Sequence, residues 1–496
     1  MTTLGKIIAG LILLLLSNSI FSQSFNSRLV DENTKQPIPY ATIQFGKNKG
    51  VISNEEGVFS FSLNNVPTEQ DSVIISSMGF ERKAFVLKQS LDTLIALAPK
   101  AFELNRVFLS SDPLEADEIV EKVKENLDDN YKVLVTKKKI FFRQTDLNEM
   151  NKVDFGFQKS TIAELDKQLV DSIASLVPRS SSYYREVVGD FYGDYSKHKF
   201  HVDKAAELYD KSKDVSVDGV SDKMERIFKE NIKPDSYLKI KSGIFSTKVQ
   251  LDSIKVENKE ETDAMVKVED RADQKFQQEI KNRISELYTE LFFHDDSKLD
   301  ILRKSNRYIY QIKDYTYIDD EPVYALEFSP KGKKDFKGMM YVNMDDFAIL
   351  RLEFDNVRPI QKFGLLGITY RHKVFKGRML FQKNGEGTYS PQYLELNSGI
   401  YFGLDRPLKV IEKNKHVKGR RKQNELSLAL DIRLTTFNKY EMVVFDSETI
   451  SDQEYEIAKE NENVEATHLT QYDPNFWKGY TIIEPNAAIQ AFKVVE

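Results

Sequence analysis

Asp214, Ser216, Asp218, Gly219, Asp222 and Glu225 are the residues whose types and spacing come nearest to a chemical motif. They fall at positions 1, 3, 5, 6, 9 and 12 of a helix–loop–helix calcium loop. In such a loop the carboxylates wrap a hard cation and the glycine permits a sharp turn. Val217 at position 4 and Ser221 at position 8 depart from the pattern, since position 8 is normally an apolar residue that pairs with a partner loop. A solvated acidic linker between charged helices accounts for the same residues. The expectation is no resident cofactor, with calcium on Asp214, Ser216, Asp218, Asp222 and Glu225 as the one metal alternative.

Other chemistries leave no trace. Zinc hydrolysis needs a His-Glu-His set with an open position, and none of the six histidines is followed three residues later by Glu. His198 and His201 form a His-x-x-His pair in SKHKFHV, without a third ligand nearby in the sequence. There is no Gly-x-Ser-x-Gly elbow, no cysteine, and no glycine-rich phosphate loop. A hydrolase is therefore the disfavoured alternative. Two further stretches could bind without reacting. Lys418-Gly419-Arg420-Arg421-Lys422 could meet anionic headgroups, or be a hairpin turn between Val410 and Leu426. Tyr183-Tyr184 and Phe191-Tyr192 could line a sugar or lipid site, or pack into a core.

The elements that must position these residues are mostly strands. In residues 27–107, Ile43 and Phe45, then Phe59, Phe61 and Leu63, then Val73 and Ile75 alternate with polar neighbours. That is the period of strands with one buried face, and turn residues recur every eight to twelve positions, as in a small sandwich. Gly57 comes after two acidic turn residues, where a left-handed backbone suits glycine. Pro39-Tyr40-Ala41-Thr42, Asn54-Glu55-Glu56-Gly57-Val58-Phe59 and Ser76-Ser77-Met78-Gly79-Phe80 closely resemble, in order, the carboxypeptidase regulatory-like domain of Bacteroidetes envelope proteins. The resemblance implies a seven-stranded, transthyretin-like (prealbumin-like) sandwich over 23–110 and a place in the cell envelope.

Residues 1–22 read as an export signal: Lys6, then the apolar run Ile7–Leu16, then small and polar residues with cleavage after Ser22 or Ser19. The run is too short to span a bilayer, and no later stretch reaches eighteen apolar residues, so no transmembrane span is expected in the mature chain. With 71 basic and 77 acidic residues interspersed, nucleic acid is not an expected partner. The absence of cysteine excludes lipidation on an N-terminal Cys and any disulfide.

After Pro113, residues 114–131 carry Ile119, Val120, Val123 and Leu127 at helical spacing, giving a helical connector over 111–135. Helix, then Asn130-Tyr131, then Phe141-Phe142-Arg143 resembles the segment C-terminal to this sandwich in family members, where the next domain is similar to a lipoprotein-carrier (LolA/LolB-like) half-barrel. The residues themselves predict a β-rich α+β domain over 136–496, with a meander of four strands at 307–358. Further strands are expected at 139–144, 152–163, 237–251, 264–268, 369–375, 378–382, 392–401 and 425–436, and helices at 203–213, 221–231 and 271–293. The last helix carries Phe276, Ile280, Ile284, Leu287 and Leu291 on one stripe.

The functional expectation is a non-catalytic, exported protein, periplasmic or associated with the outer membrane. Its partner would be an apolar or glycan envelope component, such as a lipid or lipoprotein acyl chain, or an outer-membrane protein. The alternative is a scaffolding accessory of an outer-membrane complex of the TonB-dependent type. A barrel of its own is not expected, given the long charged helical stretches.

Overall fold

The computed structural model describes residues 23–45, 50–63, 72–86, 93–100, 114–211, 218–233, 235–250, 276–416, 421–461 and 464–494. The expected leader over 1–22, the expected strand at 264–268, and residues 111–113 and 418–420 lie outside them.

Seven short strands form the N-terminal sandwich: β1 (Gln23–Asp31), β2 (Thr42–Phe45), β3 (Gly50–Ile52), β4 (Val58–Leu63), β5 (Ser72–Ser76), β6 (Lys83–Val86) and β7 (Leu94–Leu97). One sheet runs β4-β1-β7 and the other β3-β2-β5-β6. The alternation seen in the sequence sets which side chains meet: Phe25, Phe45, Phe59 and Phe61 stack between the sheets, and Ile43, Val73 and Ile75 are fully buried. Gly57 has a φ of 75°, and a Cβ there would fall 2.6 Å from the Leu29 carbonyl, so only glycine fits the turn.

The rest of the chain builds one large, curved sheet with few helices, antiparallel except for one parallel pair at its edge. Along its edge-to-edge path it runs β14 (Tyr308–Ile318), β15 (Glu321–Pro330), β16 (Phe336–Asn343), β17 (Ile349–Asn356), β19 (Ile368–Lys383), β20 (Tyr389–Asn414), β21 (Lys422–Thr449), β8 (Thr136–Asp154), β10 (Ser180–Gly193), β11 (His198–Tyr209) and β22 (Thr467–Leu469). Off this path, β9 (Phe157–Ser160) pairs with β21, β12 (Ser236–Ser242) with β20, β13 (Phe245–Gln250) with β12, and β18 (Gln361–Leu365) with β19. The four-strand meander expected at 307–358 is β14 to β17. Of the basic cluster, only Arg421 and Lys422 are described; Lys422 opens β21 and forms an ion pair with Glu425, and Val410 pairs with Leu426 further along the β20–β21 pair.

The sheet curls around its own helices. Helix α1 (Ala116–Glu125) buries Ile119, Val120 and Val123 against it, and the helix over 276–289 buries Ile280, Ile284, Leu287 and Tyr288. These meet Ile140 and Phe142 of β8, Val187 and Phe191 of β10, and Met340 and Leu352 of the meander in one continuous core. Short helix α2 (Leu127–Asn130) leads to Tyr131, whose hydroxyl donates to the Ile349 carbonyl at 2.8 Å and accepts from the Ile349 amide at 2.6 Å. Asn130 donates to the Asp346 carbonyl at 2.8 Å. The connector is thus pinned to the β16–β17 turn.

Tight curling needs backbones to approach closely on the inner face. Gly338 and Gly377 supply this: a Cβ would stand 1.9 Å and 2.3 Å from the carbonyls of Glu353 and Glu395. The rings of Phe328 and Phe354, on the neighbouring strands, cover the gaps.

One expected helix is a strand. Residues 203–213 read as helical because Lys204-Ala205-Ala206-Glu207-Leu208 are good helix formers. Pairing along β10 overrides that preference, burying Ala205 on one face of β11 and Ala206 on the other. Among the described residues, three helices were not expected from the sequence: α3 (Lys167–Leu176), Asp452–Ile457 and the short C-terminal helix Ala487–Gln490.

Gly338→Ala is expected to cost roughly 2–4 kcal/mol in urea unfolding, because its Cβ meets backbone and ring atoms that cannot both move away. A loss near that of an ordinary surface substitution would show that the sheet does not need this close approach.

Candidate functional site

Three places concentrate polar chemistry: a charged seam on the outer face of the sheet, a lysine inside the curl, and a tyrosine-lined groove at one end.

Along the central strands the inner side chains are mostly apolar, while many outer ones are charged. Those outer residues face the sandwich and the C-terminal tail. Arg143 on β8 and Glu186 on β10 are both buried, with Arg143 Nε donating to Glu186 Oε1 at 2.7 Å. The second oxygen of Glu186 accepts from Trp477 Nε1 at 2.7 Å, and Arg143 Nη2 donates to the Ile483 carbonyl at 2.7 Å. This pair therefore clamps the tail across the sheet. Glu441 continues the line, 4.0 Å from Arg143, and beyond it Lys439 lies 3.1 Å from Glu441 and 2.7 Å from Glu55 of the sandwich. Tyr393 donates to Glu395 at 2.9 Å, and Arg378 reaches Glu353 at 2.9 Å beneath the ring of Tyr40, 3.8 Å from its centroid. Tyr40 of the sandwich's Pro-Tyr-Ala-Thr entry is thus a docking residue. Burial pushes the Glu353 carboxyl up, but Arg351 and Arg378 together hold it below its ordinary value. Each charged group of the seam has an oppositely charged neighbour, although Arg378 Nη1 is buried without a hydrogen bond, and the seam holds parts together.

Inside the curl, Lys138 is only 2% exposed. Its amine faces the rings of Phe191, Tyr195 and Tyr288 at 5.9, 5.3 and 6.0 Å from their centroids. Rings replace a carboxylate as its partner, and burial pulls its pKa from 10.5 down to about 8. The Tyr288 hydroxyl beside it is buried without a hydrogen-bond partner.

The groove, about 760 Å³, opens between the ends of β8, β10 and β11 and the C-terminal helix. Tyr183, Tyr184, Tyr209 and Phe492 supply rings, and Asn148 and Ser181 supply hydrogen-bonding groups. Tyr183 is fixed by donating to Glu207 at 2.5 Å, and Tyr184 packs edge-on against Phe492 at 5.6 Å.

Of the residues flagged in the sequence, Tyr183 and Tyr184 line this groove, whereas Phe191 is buried in the core. His198 is stacked on Phe191 at 5.1 Å, with Nε2 3.1 Å from Ser285 Oγ, and burial pulls its pKa down. His201, three residues along the same strand, falls on the opposite face, so the two cannot share an ion. Asp214 and Ser216 lie outside the described residues. Asp218, Asp222 and Glu225 lie within helix α4 (Asp218–Asn231), where Glu225 is engaged by Lys229 at 2.5 Å. Among the described residues, no three side chains of metal-binding type cluster together. The seam escaped sequence reasoning, because charged residues at alternate strand positions look like a solvated face.

Residues 28–109 match the family model of the CarboxypepD_reg-like domain, so the N-terminal sandwich is a domain of that kind. No curated protein matches the chain. Among solved structures, an outer membrane lipoprotein-sorting protein domain from Vibrio parahaemolyticus is 9% identical, covering 68% of this chain and 97% of its own, with a TM-score of 0.20. A LolA superfamily protein from Nitrosomonas europaea is 11% identical, covering 69% and 97%, at 0.16. The Pseudomonas aeruginosa MucA/MucB complex is 7% identical, covering 67% and 99%, at 0.17. Scores this low carry no information about this chain's cargo or partner.

The buried charges have measurable consequences for stability. Arg143→Met should cost about 3–5 kcal/mol, since it strands Glu186 in the interior, and adding Glu186→Leu should recover most of that loss in a double-mutant cycle of urea midpoints. Lys138 loses its proton more readily when folded than when unfolded. The cost of burying its charge is therefore fully present below about pH 8 and is relieved as pH rises towards 10.5. Lys138→Met should stabilise the protein by about 2–3 kcal/mol at pH 7, and the advantage should vanish by pH 10.5. A difference that is flat across pH would rule out a buried ammonium.

Proposed function

We propose that this is an exported, non-catalytic binding protein of the cell envelope. It takes a glycan segment of an envelope component into the groove beside its C-terminal helix, and its curled sheet carries no acyl chain. The observation that carries the reading is where space remains. The inner face is filled by the molecule's own Ile280, Ile284, Leu287, Tyr288 and Phe292, all buried, so an apolar cargo would have to displace a helix. The groove of about 760 Å³ has the size of a small-ligand site. Aromatic rings beside amide, hydroxyl and carboxylate groups suit a sugar, whose C–H faces stack on rings while its hydroxyls exchange hydrogen bonds. The CarboxypepD_reg-like sandwich supports a binding role, as does the seam, whose ionisable groups are engaged with one another.

Titration calorimetry with peptidoglycan fragments and lipopolysaccharide core oligosaccharides tests the proposal. Binding of one of these should weaken about tenfold in Tyr209→Ala with the unfolding temperature little changed, as expected on removing one stacking ring worth about 1.4 kcal/mol. Binding that ignores Tyr209→Ala, or no binding to any of the glycans, would overturn it. Mass spectrometry of the purified protein adds a separate outcome: a co-purified acyl chain would restore the lipid-carrier alternative.

A further inference from the structure

Two hairpins meet at the point where β20 leaves one neighbour and takes another. Its first half pairs with β19 up to Leu404, and its second half pairs with β12 from Lys409 onward. The β18–β19 turn, Leu366-Gly367, reaches Asp405, whose amide donates to the Gly367 carbonyl at 2.7 Å. The β12–β13 turn, Gly243-Ile244, reaches Arg406, whose Nε donates to Ser242 Oγ at 2.8 Å and whose guanidinium lies 5.0 Å from the ring centroid of Phe245.

The tips are apolar and exposed: Ile244 is 80% exposed, Leu365 56%, Phe245 55%, Phe363 50% and Leu366 49%. Every residue of β18 is exposed, so its apolar residues cover nothing. Five large apolar side chains on two adjoining tips form a patch rather than the single residues common on any surface. Leu366 adds a second sign. Its φ is 52°, in the left-handed region, where a hairpin turn of this kind would take Asn, Asp or Gly. A branched apolar residue in that place costs stability and makes sense only if its side chain has work outside the fold.

The flanks identify the partner. Lys362 stands opposite Arg371, Lys241 opposite Lys409, and Lys239 opposite Lys248. Like charges placed directly across strands repel, and none of these six residues forms an ion pair among the described residues. Arg406 Nη1 between the tips is buried without an acceptor. Asp405 lies between the tips, and Asp431 opposite it is engaged by Arg433 and Lys152, in a chain whose formal net charge is −6.

We propose that these paired tips are a membrane-docking surface. Ile244, Phe245, Phe363, Leu365 and Leu366 enter the headgroup boundary of an anionic phospholipid bilayer, and the three cationic pairs meet its phosphates. The proposal is independent of the groove, so either can fail alone.

Co-flotation of the full chain with vesicles of phosphatidylglycerol and phosphatidylethanolamine, against vesicles of phosphatidylcholine, tests it. The apolar residues 7–16 are common to every variant, so the readout is the difference between variants. Two substitutions should lower vesicle binding without harming the fold. Leu366→Asn suits the left-handed turn, and Lys362→Glu gives Arg371 an opposite charge. Each should unfold at or above the temperature of the unaltered chain, yet bind the anionic vesicles about tenfold more weakly, and binding should fall with added salt. Equal binding to both vesicle types, or undiminished binding by both variants, would overturn the proposal. A concentration-dependent dimer in sedimentation that Leu366→Asn abolishes would overturn it as well, because the patch would then be filled by a second copy.

Discussion

A sheet that is apolar on one face and charged on the other has to find two unlike partners, and that constraint organises this protein. The inner face closes around a helix with Phe276, Ile280, Ile284 and Leu287 on one stripe, and Leu291 just beyond its end. Burial of that stripe is a large favourable contribution, since each fully buried aliphatic or aromatic side chain is worth about 1.5–3 kcal/mol. Curling the strands round so narrow an insert forces their backbones together, and the glycines at 338 and 377 are a consequence of that geometry. A filled interior leaves function to the outer face and the ends.

The outer face solves a different problem. Its charged residues are buried by the sandwich and the tail, so each needs a partner in place before water leaves. Buried ion pairs add little net stability, because desolvation offsets most of their attraction. Their value here is geometric. Glu186 can satisfy both oxygens only when Trp477 and Arg143 sit where they do, and Lys439, already beside Glu441, gains its second carboxylate when Glu55 is docked. The apolar parts of the same interface, Phe141, Tyr184, Val443 and Phe445 against Trp477, Ile482 and Ile483, would tolerate several dockings of the tail. The ionic network selects one. The hydrogen bond from Gly79 to Tyr317 and the ion pair of Lys100 with Asp320 at 2.6 Å fix a second corner of the sandwich against the meander.

The same division decides how much of the fold is legible in the sequence. The sandwich and the meander could be read because each strand buries one face and ends at a turn residue, as at Asn54-Glu55-Glu56-Gly57 and Asp319-Asp320. The stripe on the helix over 276–289 was equally plain. The long strands were seen only in pieces. Register shifts between His372 and Val374, between Leu380 and Phe381, and between Arg433 and Leu434 interrupt the period of two, so one strand reads as two fragments. β11 was read as a helix because local preference was its only visible signal and its partner strand is known only from the fold. The groove was half legible, through Tyr183 and Tyr184; Tyr209 was hidden in that misread stretch. The seam was illegible, since Arg143, Glu186, Glu395 and Glu441 alternate just as a solvated strand face would. The apolar tips carried one overlooked signal, a Leu-Gly hairpin turn with no turn-forming residue in its first position.

The two proposed surfaces are neighbours, and this bears on how they would act together. Leu434 lines the groove, and Leu430, which pairs with Arg406 between the tips, lies four residues along the same strand. At the rise of an extended chain that separation is about 13 Å, comparable with a bilayer's two headgroup and interfacial layers taken together. A molecule resting on its two hairpin tips would hold the groove close to the lipid surface, within reach of sugars that project from it. The filled core serves such an arrangement by stiffness: with the described inner face packed by its own side chains and a tail locked by Arg143 and Glu186, the distance between tips and groove is fixed by a strand running through both.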